Sequence, residues 1–175
     1  MEASGTAAHG EADLVASLVA TVRPDGTGAV LDAGCGMGRV AIELSRRGVD
    51  VEGVDLDDDL LAYARNDAPD VRWVLGDLST VEMGRRYDVI AMPGNVMVFC
   101  RVEDRAPIVA NLARQLWPGG VLVAGFMLER RSDAITLDEY DAAASAAGLT
   151  LVDRFATWER ARYDGGDYAV SVHRA

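Results

Sequence analysis

The apolar residues of the chain follow a helical spacing in some stretches and form short continuous runs in others. Helical spacing predicts helices over residues 11–22, 38–48, 57–68 and 103–117. Short apolar runs, typical of buried strands, occupy residues 29–33, 49–55, 71–77, 87–92 and 121–128. Because these strands alternate with helices, the sequence predicts an α/β fold with a mostly parallel, doubly wound sheet and helices on both faces.

Local signals mark several boundaries of these elements. Asp57 is a plausible N-cap for the third helix, and Pro107 suits the first turn of the fourth. Pro118-Gly119-Gly120 should separate that helix from the fifth strand. Thr136 and Glu139 form a capping-box pattern, which predicts another helix that ends near residue 148.

The last part of the chain predicts a β-hairpin. Residues 149–163 and 167–175 flank an Asp-Gly-Gly turn at 164–166. Such a hairpin adds an antiparallel strand at the end of an otherwise parallel sheet.

The length of 175 residues allows one domain with a sizeable core. We expect the small and polar residues 1–10 to be flexible and residues 11–175 to form this domain. No apolar run approaches the ~18 residues of a membrane span, and the N-terminus lacks a signal-peptide pattern. Cys35 and Cys100 give no disulfide framework, so the sequence favours a cytoplasmic protein without a membrane partner.

The charge balance argues against nucleic acid as a partner. The chain has 28 acidic and 17 basic residues, every basic residue is arginine, and the net charge is −11. Phosphate backbones repel such a chain unless it carries a local basic patch. The arginine pairs at 46–47, 85–86 and 130–131 are scattered along the sequence, which predicts a solvated acidic surface.

A glycine-rich turn follows the first predicted strand. In the stretch LDAGCGMGR, Gly34, Gly36 and Gly38 can adopt conformations that other residues avoid and let a ligand approach the backbone. Dinucleotide-binding turns have the pattern G-x-G-x-x-G, whereas this turn has G-x-G-x-G followed by Arg39. Asp32, just before the turn, would repel a pyrophosphate and attract an amino group. A tight turn that binds nothing is also compatible with this pattern.

Two more acidic residues end the next two predicted strands. Asp55 ends the second strand, where a carboxylate can accept hydrogen bonds from both hydroxyls of a ribose. Asp77 ends the third strand and could accept a hydrogen bond from an adenine amino group, with Leu56 and Leu78 against the base. The aspartates at 57–59 are better explained as charges that favour a helix N-terminus.

Together these stretches resemble the class I S-adenosylmethionine-dependent methyltransferases. VLDAGCGMGR, VEGVDLD, LGDL, YDVIAMPGN and LWPGGVLV occur in the family's order and spacing, from about residue 30 to residue 126. The resemblance implies a Rossmann-like, seven-stranded sheet with a reversed last strand. It also implies methyl transfer as the activity and S-adenosyl-L-methionine as the cofactor.

The resemblance also assigns contacts to the methionine part of this cofactor. Gly34, Cys35 and Gly36 would line it, and Asp32 would support its amino group. The backbone of Met92-Pro93 would lie beside the amine and the sulfonium.

The adenosine part has its own set of implied contacts. Asp55 would bind the ribose hydroxyls, and Leu56 would pack on the adenine. Asp77 would meet the adenine amino group, while the backbone amide of Leu78 would bind a ring nitrogen.

We expect the methyl acceptor to be a small molecule. Family members that methylate the amino groups of nucleic-acid bases carry an Asn/Asp-Pro-Pro-aromatic motif after the fourth strand, where this chain has Met-Pro-Gly-Asn. The chain also lacks an inserted domain that could hold a macromolecule. The candidate acceptor contacts follow strands four and five or flank the hairpin: Asn95, Met97, Glu129, Tyr163 and Tyr168.

The sequence does not identify a catalytic residue. Methyl transfer from a sulfonium needs alignment above all, and a base only where the acceptor is a weak nucleophile. The candidates are His9, beside a possible N-terminal lid, Asn95 and Tyr163. Packing is the better explanation of His173, and two histidines at opposite ends of the chain indicate no metal site.

Other functions stay open. A regulatory or interaction module could bind S-adenosylmethionine through the same residues without transferring a methyl group. A dehydrogenase is disfavoured by Arg39 and Asp32. Either a monomer or a homodimer fits the sequence.

Overall fold

The computed structural model describes residues 9–128 and 133–175. Within these ranges the chain forms helices and strands in the order α1 (Gly10–Val22), β1 (Ala29–Ala33), α2 (Arg39–Arg46), β2 (Asp50–Asp55), α3 (Asp58–Asp67), β3 (Arg72–Leu75), β4 (Tyr87–Met92), α4 (Val96–Phe99), α5 (Val102–Ala113), β5 (Leu116–Met127), α6 (Leu137–Ala146), β6 (Thr150–Phe155) and β7 (Tyr168–Arg174). None of the helices in these ranges combines the length and apolarity needed to cross a bilayer. Gly10, the last residue of the segment that we expect to be flexible, is the first residue of α1, and residues 1–8 lie outside the described residues.

The strands form one seven-stranded sheet with the order β3-β2-β1-β4-β5-β7-β6. Strands β1 to β5 pair in parallel, and β7 runs antiparallel to both of its neighbours, β5 and β6. This confirms the predicted doubly wound, Rossmann-like sheet with a reversed last strand. The strand order turns back between β1 and β4, and in such folds ligands bind at the carboxyl ends of the strands near this point.

Helices cover both faces of the sheet because side chains alternate along its strands. Val30 of β1 packs in a layer with Leu14 of α1 and Leu44 of α2. The neighbouring Leu31 faces the other layer, which includes Leu112 of α5. The apolar runs of the central strands are therefore buried on both sides, as a parallel sheet requires.

Two helix starts follow from their N-caps, as predicted. The Asp57 carboxylate accepts hydrogen bonds from the amides of Asp59 and Leu60, at 3.0 and 3.1 Å, and so begins α3. The Thr136 hydroxyl accepts a bond from the amide of Glu139 and begins α6.

The predicted break at Pro118-Gly119-Gly120 is wrong, because these residues lie inside β5. Helix α5 already ends at Ala113, and Leu116 pairs with Tyr87 of β4. The register between β4 and β5 then shifts, which accommodates the proline as a bulge. Ala175 holds the glycines in the sheet: its carbonyl accepts a bond from the Gly119 amide, and its amide donates to the Gly120 carbonyl, both at 2.9 Å.

The predicted hairpin pairs correctly but does not have a tight turn. β6 ends at Phe155, and residues 156–167 connect it to β7. Trp158 of this connection is buried, and its indole N–H donates to the Tyr168 hydroxyl at 2.8 Å. A Cβ atom at Gly125 would lie 2.5 Å from the Trp158 ring, so the connection packs closely over β5. A longer connection, packed against the sheet by Trp158, therefore joins β6 and β7 in place of the predicted tight Asp-Gly-Gly turn.

Candidate functional site

The glycine turn lies at the carboxyl end of β1, where it meets β2. Gly34, Gly36 and Gly38 have φ angles of 79, 54 and 80°, in the left-handed region that favours glycine. The amides of Gly34 and Cys35 both donate to the carbonyl of Val54, at 2.8 and 3.0 Å. The second strand therefore holds the turn in place.

Asp55 connects the turn to the start of the next helix. Its carboxylate accepts hydrogen bonds from the amide of Gly36 at 2.7 Å and from the amide of Asp57 at 2.9 Å. Each oxygen takes one of these bonds and keeps a further lone pair for a ligand. Asp55 thus positions the backbone that a ligand would approach and also offers a negative charge to that ligand.

Asp32 is buried beneath the turn. Its Oδ2 accepts a hydrogen bond from the amide of Ala41 at 3.0 Å, in the first turn of α2. Its Oδ1 is buried and has no hydrogen-bond partner among the described residues. Burial raises the pKa of Asp32 to about 7, against the opposing effects of the Ala41 bond and the charge of Arg39. A buried carboxylate oxygen without a partner calls for a donor, and the amino group of a ligand would be one.

The adenosine contacts implied by the resemblance differ in exposure. Leu56 is 73% exposed directly after β2 and lines an open depression of about 420 Å³ together with the start of α3. The Asp77 Oδ1 accepts bonds from the amide and hydroxyl of Ser79, and these bonds lower the pKa of Asp77. The Leu78 side chain is buried in the core, so its predicted contact with a base would be made by its backbone.

The loop after β4 is connected to the end of β5. Met92 and Pro93 are buried, and Asn95 has a φ angle of 63°, unusual for a residue other than glycine. The Oδ1 of Asn95 accepts a hydrogen bond from the Met127 amide at 2.8 Å. Asn95 therefore fixes the loop on which α4 follows.

Two packing contacts at the turn have no sequence signal. A Cβ atom at Gly38 would overlap the ring of Trp73, which covers the turn from β3. A Cβ atom at Gly34 would lie 2.6 Å from Val96, the first residue of α4. Long-range packing of this kind depends on the fold, so periodicity alone does not reveal it.

The candidate acceptor and catalytic residues lie in separate surroundings. The exposed His9 has its Nδ1 3.9 Å from a Glu43 carboxylate oxygen, and the Tyr163 hydroxyl donates to the Gly166 carbonyl at 3.2 Å. No hydrogen bond joins His9, Asn95 and Tyr163 to one another. Glu129 lies outside the described residues.

Other candidate residues of this group have packing roles. Met97 is buried in the core, and burial raises the pKa of the Tyr168 hydroxyl. Burial also raises the pKa of the Cys35 thiol, so this cysteine contributes its backbone rather than a thiolate. His173 is buried between Tyr140 and Asp141, in keeping with the packing explanation.

A family model described as a methyltransferase domain matches residues 30–120 of the chain. The chain is similar to dTDP-3-amino-3,4,6-trideoxy-alpha-D-glucopyranose N,N-dimethyltransferase of Streptomyces venezuelae, with 32% identity over 114 residues, 65% of this chain and 48% of that protein. It is also similar to magnesium-protoporphyrin O-methyltransferase of Rhodobacter capsulatus, with 30% identity over 116 residues, 63% of this chain and 51% of that protein. The chain thus spans about half the length of the curated relatives it matches.

A solved structure agrees over almost the whole chain. A TehB-like SAM-dependent methyltransferase from Corynebacterium glutamicum has a TM-score of 0.85 and 35% identity, covering 97% of this chain and 89% of its own. The chain therefore belongs to the methyltransferase-domain family. This confirms the resemblance to class I enzymes and S-adenosylmethionine as the family's cofactor.

Proposed function

We propose that the protein transfers a methyl group from S-adenosylmethionine to a small-molecule acceptor. The observation that carries this proposal is the pair of acids at the glycine turn. Asp32 keeps a buried oxygen without a partner, while Asp55 holds the Gly36 amide at 2.7 Å. A buried acceptor for an amino group next to a carboxylate for ribose hydroxyls suits an amino acid joined to adenosine.

The residues present fit this cofactor. The partnerless Oδ1 of Asp32 would accept a bond from its amino group, and Asp55 would accept bonds from its ribose hydroxyls. The exposed Leu56 offers an apolar surface to the adenine, and Asp77 keeps its Oδ2 available for the base. The cofactor, once bound, supplies an electrophilic methyl group that needs no further activation.

The remaining catalytic work falls to alignment and the exclusion of water. The bond from the Met127 amide to Asn95 holds the loop after β4, beside the buried Met92-Pro93. We assign Asn95 a positioning role, because its Oδ1 is already engaged. A base is needed only for a weakly nucleophilic acceptor, and His9 and Tyr163 stay candidates for that role.

The acceptor class rests on the relatives and on this chain's charge. The two curated relatives are named for an amino sugar and for a porphyrin, which are small molecules methylated on nitrogen and on oxygen. A net charge of −11 disfavours nucleic acid. We further propose a cytoplasmic protein, because Cys35 and Cys100 are free thiols.

A turnover assay with radiolabelled S-adenosylmethionine tests the proposal. The panel should contain amino sugars, hydroxylated and carboxylated metabolites, a protein mixture and a structured RNA. We expect methyl incorporation into a member of the small-molecule set and none into RNA. Cofactor binding without turnover on any acceptor would favour the binding module, and efficient methylation of protein side chains would contradict a small-molecule pocket.

A further inference from the structure

A second cavity, of about 770 Å³, lies at the opposite edge of the sheet from the glycine turn. Ala29 lies at the amino end of β1, Asp88 at that of β4 and Trp117 at that of β5, and all three line this cavity. A six-residue parallel strand places its two ends roughly 17 Å apart. The cavity is therefore distinct from the cofactor site, which lies at the carboxyl ends of the same strands.

The fold brings four arginines to this cavity from three separate places in the sequence: Arg23, the adjacent Arg85 and Arg86, and Arg114. Two of them have carboxylate partners. The guanidinium of Arg23 lies 2.6 Å from Asp88, and Arg85 pairs with Asp50 at 2.6 Å. The scattered basic residues thus form a local basic cluster that their sequence positions did not predict.

Arg86 and Arg114 have no carboxylate partner among the described residues. Arg86 donates to the Leu116 carbonyl at 2.8 Å, and Arg114 donates to the Asn111 side-chain oxygen at 2.8 Å. A guanidinium has five N–H donors, so both keep donors for a ligand. Two acids also line the cavity, Glu82 and the Asp88 that pairs with Arg23, so the four arginines leave its lining net positive in a chain with a net charge of −11, which favours an anion.

The wall behind these arginines is hydrogen-bonded and partly aromatic. The Arg86 guanidinium lies 5.8 Å from the centre of the Trp117 ring, and Trp117 is 44% exposed. Buried Asn111 donates to the carbonyl of Leu78 at 2.9 Å, and Gln115 accepts from the amide of Met83 at 2.9 Å. These bonds hold the end of α5 and so fix the position of Arg114.

We propose that this cavity binds a phosphorylated small molecule with a flat ring, of the class of nucleoside phosphates. Guanidinium groups bind phosphate oxygens in a forked geometry, and Arg86 and Arg114 would supply these contacts. The exposed part of the Trp117 ring would stack with the ring of the ligand. A volume of about 770 Å³ is within the range of small-molecule sites.

Calorimetric titration with GDP and with inorganic pyrophosphate, at low salt and with saturating S-adenosylhomocysteine, tests this proposal. S-adenosylhomocysteine occupies the cofactor site, so any binding of GDP that is then observed takes place at another site. We expect Arg86→Gln and Arg114→Gln each to weaken GDP binding ~10-fold or more, because each removes a charge-assisted contact. Arg46→Gln removes the same charge from an exposed residue of α2 that does not line the cavity, and should change GDP binding less than ~2-fold.

The ring contact has a separate test. Trp117→Leu should weaken GDP binding ~10-fold while pyrophosphate binding stays the same. Unchanged binding of S-adenosylhomocysteine by each variant would show that it is folded. The proposal is wrong if GDP does not bind the folded wild-type protein, if Arg86→Gln and Arg114→Gln bind it like Arg46→Gln, or if Trp117→Leu binds it like wild type. A single-stranded RNA that binds ~100-fold more tightly than GDP would also overturn it in favour of a nucleic-acid surface.

Discussion

Replacing Asp55 with asparagine removes one charge and one acceptor at the centre of the proposed cofactor site. In the wild-type protein the two carboxylate oxygens accept bonds from the amides of Gly36 and Asp57, at 2.7 and 2.9 Å. The asparagine can accept only one of these bonds, because its amide nitrogen is a donor. We therefore expect two effects, a looser glycine turn and a lost charged partner for the ribose.

The magnitude follows from the bonds involved. A hydrogen bond to a charged group contributes about 1.5–3 kcal/mol, which corresponds to a loss of roughly 10- to 150-fold in affinity for S-adenosylhomocysteine. Loss of the Gly36 bond should also lower the free energy of unfolding by about 1 kcal/mol. Calorimetry measures the affinity, and urea denaturation measures the stability.

Asp58 is the matched control. Asp58 lies three residues along the chain from Asp55. Its carboxylate is exposed and pairs with Arg65 on the surface, at 2.8 Å. Asp58→Asn changes the net charge by the same amount, and we expect it to alter the affinity less than ~2-fold. Equal losses in the two variants would refute the assignment of Asp55 to the ribose, because only the overall charge would then matter.

Three other predictions concern burial and backbone conformation. Burial raises the pKa of Asp32 to about 7, so its carboxyl group loses its proton between about pH 6 and about pH 8. The affinity for S-adenosylhomocysteine should rise over this pH range because the charged carboxylate attracts the amino group of the ligand. Calorimetry of Asp32→Asn should show no such rise. Gly38→Ala should lower the free energy of unfolding, measured in urea, more than Gly48→Ala does. Both glycines have a φ of 80°, but only at Gly38 would an added Cβ meet Trp73. Equal decreases in the free energy of unfolding would contradict this packing argument. Burial lowers the pKa of His173, so this histidine binds a proton more readily in the unfolded chain than in the folded one. The melting temperature should therefore fall as the pH drops below about 6.5. This dependence on pH should be smaller in His173→Phe.

Much of the fold could be predicted because its signals are local. The Asp57 cap, the left-handed glycines and the alternation of apolar runs each depend on a few neighbouring residues. The position of Pro118-Gly119-Gly120 could not be predicted, because their place in β5 depends on Ala175 at the far end of the chain. A different limit applies to α4, which is only four residues long and leaves little periodicity to detect.

The candidate site shows the same division. The acids at the carboxyl ends of β1, β2 and β3 could be predicted as one group because parallel strands bring these ends to one edge. The partnerless oxygen of Asp32 and the contact between Trp73 and Gly38 depend on burial and three-dimensional packing. The arginine cluster at the opposite edge could not be predicted for the same reason, since Arg23, Arg86 and Arg114 lie next to different elements, at the ends of α1 and α5 and before β4.

Side-by-side calorimetry with S-adenosylhomocysteine and NAD distinguishes a methyl-donor site at the glycine turn from a dinucleotide site. The first ligand carries an amino group for Asp32 and a ribose for Asp55, whereas the second carries a pyrophosphate that the buried carboxylate would repel. We expect S-adenosylhomocysteine to bind and to lose affinity in Asp55→Asn, with no binding of NAD at the same concentrations. The assignment of this site to a methyl donor would be contradicted if the protein bound NAD but not S-adenosylhomocysteine, and if Asp55→Asn weakened the binding of NAD.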